Sequence, residues 1–151
     1  MHMITENLLV GNINDASEPP PQVSAVLLVA AEFSIQPPSW LRYGRIPFSE
    51  YAEAEPRLLD QAVSWVEAHI SDKRIMVCCR AGMGRSVSVV MAYLCCVQGM
   101  TYDQVFKLVI TRRPGATPLP NLEEAIAQVH LLREARTKDK KKPASSPASG
   151  A

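Results

Sequence analysis

The chain has 151 residues, 47% of them hydrophobic and 21% charged, with a formal net charge of +1. That length suits one domain with a sizeable core, and the charge balance offers no electrostatic reason for a nucleic-acid or membrane-surface partner. No apolar run approaches the ~20 residues that span a bilayer, and no signal-peptide pattern opens the chain.

In chain order, ITENLLVG (4–11) reads as a short first strand, residues 12–17 as a turn or single helical turn, and 18–22 as a Pro-rich connection. Residues 23–31, VSAVLLVAA, form a continuous apolar run rich in β-branched residues, as expected of a strand covered on both faces. After Pro37 and Pro38, residues 43–48 make another short strand. Pro56 suits the first position of a helix to about Ile70, with Leu58, Leu59, Ala62, Val63, Val66 and Ile70 on one face. Residues 74–79 are the next strand, and 86–98 the next helix, apolar nearly all round and stopped by Gly99. Thr101 and Gln104 form a capping-box pair opening a helix to about Arg112. A loop at 114–120 leads to a last helix from about Asn121, read as its cap, to about Arg136. Residues 137–151, basic and then rich in Pro, Ser and Ala, are expected to be a disordered tail after a domain at 1–136. Alternating strands and helices predict an α/β fold: a mainly parallel, twisted sheet of four to five strands flanked by helices on both faces.

The four cysteines form two adjacent pairs, Cys78-Cys79 and Cys95-Cys96, which is neither a disulfide framework nor a zinc pattern. No metal site is expected, and free thiols favour a reducing, cytoplasmic setting. His2, within the first three residues, receives no weight. His69 and His130 fall on helix surfaces, Asp60 reads as a helix-surface charge, and Cys95 and Cys96 as core.

The stretch from Cys79 to Ser86, CRAGMGRS, lies between an apolar strand and an apolar helix. Backbone amides from Arg80 through Ala81, Gly82, Met83, Gly84 and Arg85 can curl into a nest ahead of a helix N-terminus, which favours an anion at the centre. Gly82 and Gly84 permit the close backbone approach, and Arg85 can grip two phosphate oxygens at once. Cys79 stands at the base of that positive field, which favours a thiolate nucleophile in line with a bound phosphate. A nucleotide-binding loop, GxxxxGK[ST], overlays the same residues, but cysteine replaces its first glycine and arginine its lysine. A buried structural cysteine is the other bland account, and it leaves the glycines and Arg85 unexplained.

At these residues the chain resembles the cysteine-dependent protein tyrosine phosphatase superfamily, and within it the small atypical dual-specificity phosphatases, over about residues 3–135. ITENLLVGNINDA resembles that family's opening, IPFSE its general-acid segment, CRAGMGRS its signature loop, and AYLCCVQGMTYDQVFKLVITRRP its following helices. The resemblance implies Cys79 as nucleophile, Arg85 as phosphate clamp and Ser86 as the hydroxyl that assists hydrolysis of the intermediate, with no cofactor. Two positions depart from the family. Cys78 stands where a histidine usually precedes the nucleophile, which predicts a shifted pH–rate profile. Glu50 stands where the family has an aspartate general acid, with Glu53 in reserve.

The resulting expectation is hydrolysis of phosphate monoesters through a cysteinyl-phosphate intermediate, on phosphotyrosine and phosphoserine or phosphothreonine of a protein substrate, by a monomer. Two alternatives stand beside it: a phosphatase of a lipid, glucan or RNA-end phosphate, and a pseudophosphatase that binds phosphorylated partners without turnover.

Overall fold

The computed structural model describes residues 1–141. Five strands form one mixed sheet in the order β1-β2-β5-β3-β4: β1 His2–Thr5, β2 Leu8–Gly11, β3 Ala25–Leu28, β4 Arg42–Arg45 and β5 Ile75–Cys78. Strands β2, β5, β3 and β4 run parallel to one another, and β1 pairs antiparallel with β2. The expectation of a mainly parallel α/β sheet flanked by helices therefore holds.

Every residue of β2, β3 and β5 is buried, which is why these segments read as unbroken apolar runs instead of alternating ones. The first predicted strand is in fact a hairpin. Residues 4–11 carry no glycine or proline break before Gly11, yet the chain turns at Glu6 and Asn7, and the register slips between Met3 and Thr5. The predicted strands at 23–31 and 43–48 pair over fewer residues. Their remaining apolar side chains, Val29, Ala30, Ile46 and Phe48, are buried all the same, since burial needs a packed neighbour and not a sheet partner.

The helices are α1 Ile13–Ser17, α2 Pro56–His69, α3 Arg85–Cys96, α4 Tyr102–Arg112 and α5 Leu122–Lys141. Local chemistry sets several of their ends. Asn12 and Asp15 form a reciprocal capping box on α1, Thr101 and Gln104 one on α4, and Pro56 takes the first turn of α2. Gly99 adopts a φ of 74° just past α3, a conformation open to glycine with little strain.

Helix α3 is buried from Arg85 through Cys95 and packs against α2, α4, α5 and the strands β2 and β5. Cys95 is a core residue, as expected, whereas Cys96 is half-buried against the core; burial raises both thiols to about 11. Helix α5 continues past its expected end at Arg136 to Lys141, so Thr137 to Lys141 are helical and not tail. The rest of the predicted tail lies outside the described residues. Asp60, read as a helix-surface charge, pairs bidentately with Arg136 at 2.7 and 2.8 Å and ties α2 to α5. Asn121 precedes α5 with a φ of 60°, and its backbone carbonyl accepts from Ala125 N at 3.0 Å.

Candidate active site

The parallel topology gathers the site. Strand β5 lies between β2 and β3, with Cys78 in register with Gly11 and Leu28, and Leu28 in turn with Arg45 of β4, so four parallel strands end side by side. Ligands of open parallel sheets bind beyond such carboxyl ends. The segments leaving these ends carry Asn12 (after β2), Glu32 (after β3), Glu50 (after β4) and Cys79 (after β5).

Between Cys79 and α3 the loop is held from outside, carbonyl by carbonyl. Arg80 O accepts from Ile13 N at 3.2 Å, Met83 O from Thr117 N at 2.8 Å, and Gly84 O from Ser88 N at 2.9 Å and Ser88 Oγ at 2.8 Å. Arg113 supplies the two carbonyls between them, donating from Nη2 to Ala81 O at 3.2 Å and from Nε to Gly82 O at 3.1 Å. A trans peptide sets each N–H opposite the preceding C=O. Five carbonyls turned outward thus leave the amides of residues 81–85 turned inward, an anion-binding nest at the start of α3. Gly82 is required for the turn: its φ is 72°, and a Cβ there would lie 2.6 Å from Gly11 O. Gly84 is under a milder constraint, since its Cβ would meet Thr117 O at 3.3 Å.

Cys79 Sγ sits at the base of the nest, buried, 3.3 Å from Ser86 Oγ and accepting from Ser86 N at 3.4 Å. Cys78 has no exposure, and burial pushes its thiol well above the ordinary range. It is a core residue pointing away from the cleft.

Arg85 is also buried. Its Nη1 donates to Glu32 Oε1 at 2.6 Å and Phe48 O at 3.0 Å; its Nη2 donates to Glu32 Oε2 at 2.7 Å and Glu50 Oε2 at 3.2 Å. The forked pair with Glu32 fixes the guanidinium plane. It lowers Glu32 to about 2 and raises Arg85, through the shared hydrogen bonds first in both cases. Arg45 steadies the segment that carries Glu32 by donating to Ala31 O at 2.8 Å and Phe33 O at 2.7 Å.

Glu50 faces the same cleft. Its carboxylate meets Arg80 Nε and Nη2, each at 2.6 Å, and Arg80 Nη2 also donates to Tyr51 Oη at 2.9 Å. These groups, with residues 117–120, line a cleft of about 480 Å³ that reaches Cys79, Met83 and Gly84. Glu53 is exposed and does not line it.

Of the loop residues singled out from sequence, Cys79, Arg80, Ala81, Met83, Gly84 and Arg85 line this cleft together with Glu50, whereas Gly82 shapes the turn and Ser86 is buried against the Cys79 sulfur. Sequence reading missed Glu32, Ser88 and Arg113, whose roles depend on contacts across 53, 31 and 32 residues of chain. It also passed over His2, whose Nδ1 lies 2.7 Å from Arg113 Nη1. Nothing local in the sequence marks Arg113, whose burial and partners come from the fold.

Comparison with known proteins agrees with this geometry. The family model of the dual specificity phosphatase catalytic domain matches residues 15–133. Mouse dual specificity protein phosphatase 8 is 33% identical over 79 residues, 51% of this chain and 12% of that one. Arabidopsis thaliana dual specificity protein phosphatase 1B is 28% identical over 131 residues, 83% of this chain and 78% of that one. The crystal structure of human DUSP28 superposes with a TM-score of 0.77 at 20% identity, covering 90% of this chain and 99% of that one. The protein belongs to the dual-specificity phosphatase family, a branch of the cysteine-dependent protein phosphatases. It spans about an eighth of the length of the mammalian phosphatase 8 chains it matches. Among the described residues no helix is long and apolar enough to cross a membrane.

Proposed function

We propose that the protein hydrolyses phosphate monoesters on phosphorylated tyrosine, serine or threonine side chains of proteins, through a cysteinyl-phosphate intermediate. The observation that carries this reading is the Cys79 sulfur at the base of a nest whose five carbonyls all bond outward. The relatives' names, dual specificity protein phosphatases, support the protein substrate.

In the first step Cys79 Sγ attacks phosphorus in line with the ester oxygen. The S–P bond forms as the O–P bond breaks, and Glu50 gives its proton to the departing oxygen. The inward amides of residues 81–85 and Arg85 stabilise the charge on the transferring phosphoryl oxygens. In the second step Glu50 takes a proton from water, whose oxygen attacks phosphorus, and sulfur leaves as thiolate. Ser86, whose Oγ and N both lie against the sulfur, donates to the charge that returns there.

The test is hydrolysis of p-nitrophenyl phosphate in EDTA with a thiol reductant. Cys79→Ser is expected to abolish turnover, by about 10⁴-fold or more, while Cys78→Ser retains it. Turnover that survives in Cys79→Ser, or that is absent from the unmodified protein, would remove the covalent mechanism.

A further inference from the structure

A guanidinium has five N–H groups, and those of Arg85 can be accounted for individually. Both on Nη1 are engaged, by Glu32 and Phe48 O, and both on Nη2, by Glu32 and Glu50. That leaves Nε–H. A phosphate held bidentately needs two donors on one edge of the fork, so one Nη donor must first be released. Glu32 holds Arg85 through two bonds, at 2.6 and 2.7 Å, and Phe48 contributes a backbone carbonyl. The Glu50 contact, at 3.2 Å, is the longest of the four and the one carboxylate contact made through a single oxygen.

Resting on the reading of the cleft given above, we propose that Glu50 is also an internal competitor for the phosphate site. Its carboxylate takes the Arg85 donor that a substrate phosphate requires, Arg80 and Tyr51 hold it there, and substrate must displace it. Arg80 is the positioning residue of this latch. Its forked pair with Glu50 and its bond to Tyr51 Oη place the carboxylate against Arg85. Tyr51 shows the strain that such a device leaves behind: its φ is 63°, unusual for a bulky side chain, and its residue is 85% exposed. No burial holds that conformation in place. The bond from Arg80 is the described contact of its hydroxyl.

The latch gives the glutamate a purpose. A carboxylate one methylene shorter falls roughly 1.5 Å nearer its backbone, and would keep an acid at this position without bridging both arginines. Arg80 and Arg85 on one side and Glu32 and Glu50 on the other cancel in charge, so affinity for phosphate is restrained until Glu50 moves.

The test is calorimetric titration of inorganic phosphate into the full chain carrying Cys79→Ser, at one pH and salt concentration. Adding Glu50→Asp is expected to tighten binding about tenfold, by returning one charge-assisted donor to the anion. Glu53→Gln removes a carboxylate that touches neither arginine and is expected to change affinity by less than about twofold. Unchanged or weaker binding in Glu50→Asp overturns the proposal, as does equal tightening in Glu53→Gln, which would assign the effect to net charge. Tyr51→Phe loosens the latch without altering charge. It is expected to tighten phosphate binding about two- to threefold, and it decides the matter if Glu50→Asp does not fold. Binding needs no turnover, so the two readings fail separately. Tightening in a protein that never hydrolyses p-nitrophenyl phosphate keeps the latch and removes the reaction, whereas hydrolysis with unchanged affinity does the reverse.

Discussion

The two walls of the cleft are built on different principles. The loop at 79–86 is a backbone structure, its carbonyls bonded to α1, α3, Arg113 and Thr117, with buried elements behind it. The facing segment at 46–55 presents Glu50 and Tyr51, which are held by side-chain ion pairs and one hydroxyl contact at the rim. Preorganised amides stabilise a transferring phosphoryl group because they need not reorganise during reaction. A proton donor has the opposite requirement, since it must approach a leaving group that changes from substrate to water. Under the proposed mechanism, a rigid cradle opposite an adjustable acid meets both needs.

Breaking the rigid wall should have the largest effect. Gly82→Ala puts a Cβ against Gly11 O and Arg113 Nη2 at a positive φ. It is expected to lower turnover about 10³-fold, on aryl and alkyl phosphates alike, because the misplaced amides serve every substrate. Unaltered kinetics in this variant would mean that the nest is not the phosphate site.

Glu50→Gln attacks the adjustable wall, and its effect should depend on the leaving group. Alkyl phosphates are expected to slow by about 10²-fold and p-nitrophenyl phosphate far less, since a nitrophenolate departs with little protonation. Equal losses on both would exclude Glu50 as the acid.

Arg113→Met retains much of the buried volume but strips Ala81 O and Gly82 O of their donors. A loss of about 1–3 kcal/mol in unfolding free energy follows from leaving buried acceptors unpaired, accompanied by weaker phosphate binding. Denaturant titration and calorimetry read the two effects. A stability loss without a change in phosphate affinity would confine Arg113 to a structural role.

The smallest effect concerns the pair behind the clamp. The folded protein lowers Glu32 from 4.5 to about 2, chiefly through its hydrogen bonds to Arg85. A depressed carboxylate contributes stability that is fully present above its unfolded value and is lost as pH falls through the folded one. The pair should therefore weaken between about pH 4.5 and 2. Glu32→Gln should flatten that part of the acid-unfolding profile, modestly, because Glu32 is partly open to solvent.

Much of this architecture is written locally. The apolar runs of β3 and β5, the capping boxes of α1 and α4, Pro56 and Gly99 each act over a few residues, so their chemistry can be read in order along the chain. The same is true of Cys79, the glycines and Arg85, which follow one another in a single strand–loop–helix unit, although distant segments hold its carbonyls. The β1–β2 hairpin escaped because its turn at Glu6 and Asn7 lacks a glycine or proline, and because pairing with the sheet edge, not local propensity, bends the chain there.

At the loop, the residue order determined that a thiol and a guanidinium would flank one glycine-containing turn ahead of a helix. Only the tertiary structure decided how that turn is held and which charged groups face it. Arg113, Glu32 and Glu50 reach it from chain segments about 30 to 50 residues distant. Parallel strands bring those segments to one end of the sheet, and the pairing of distant charges leaves no periodicity or spacing in a sequence from which it could be read.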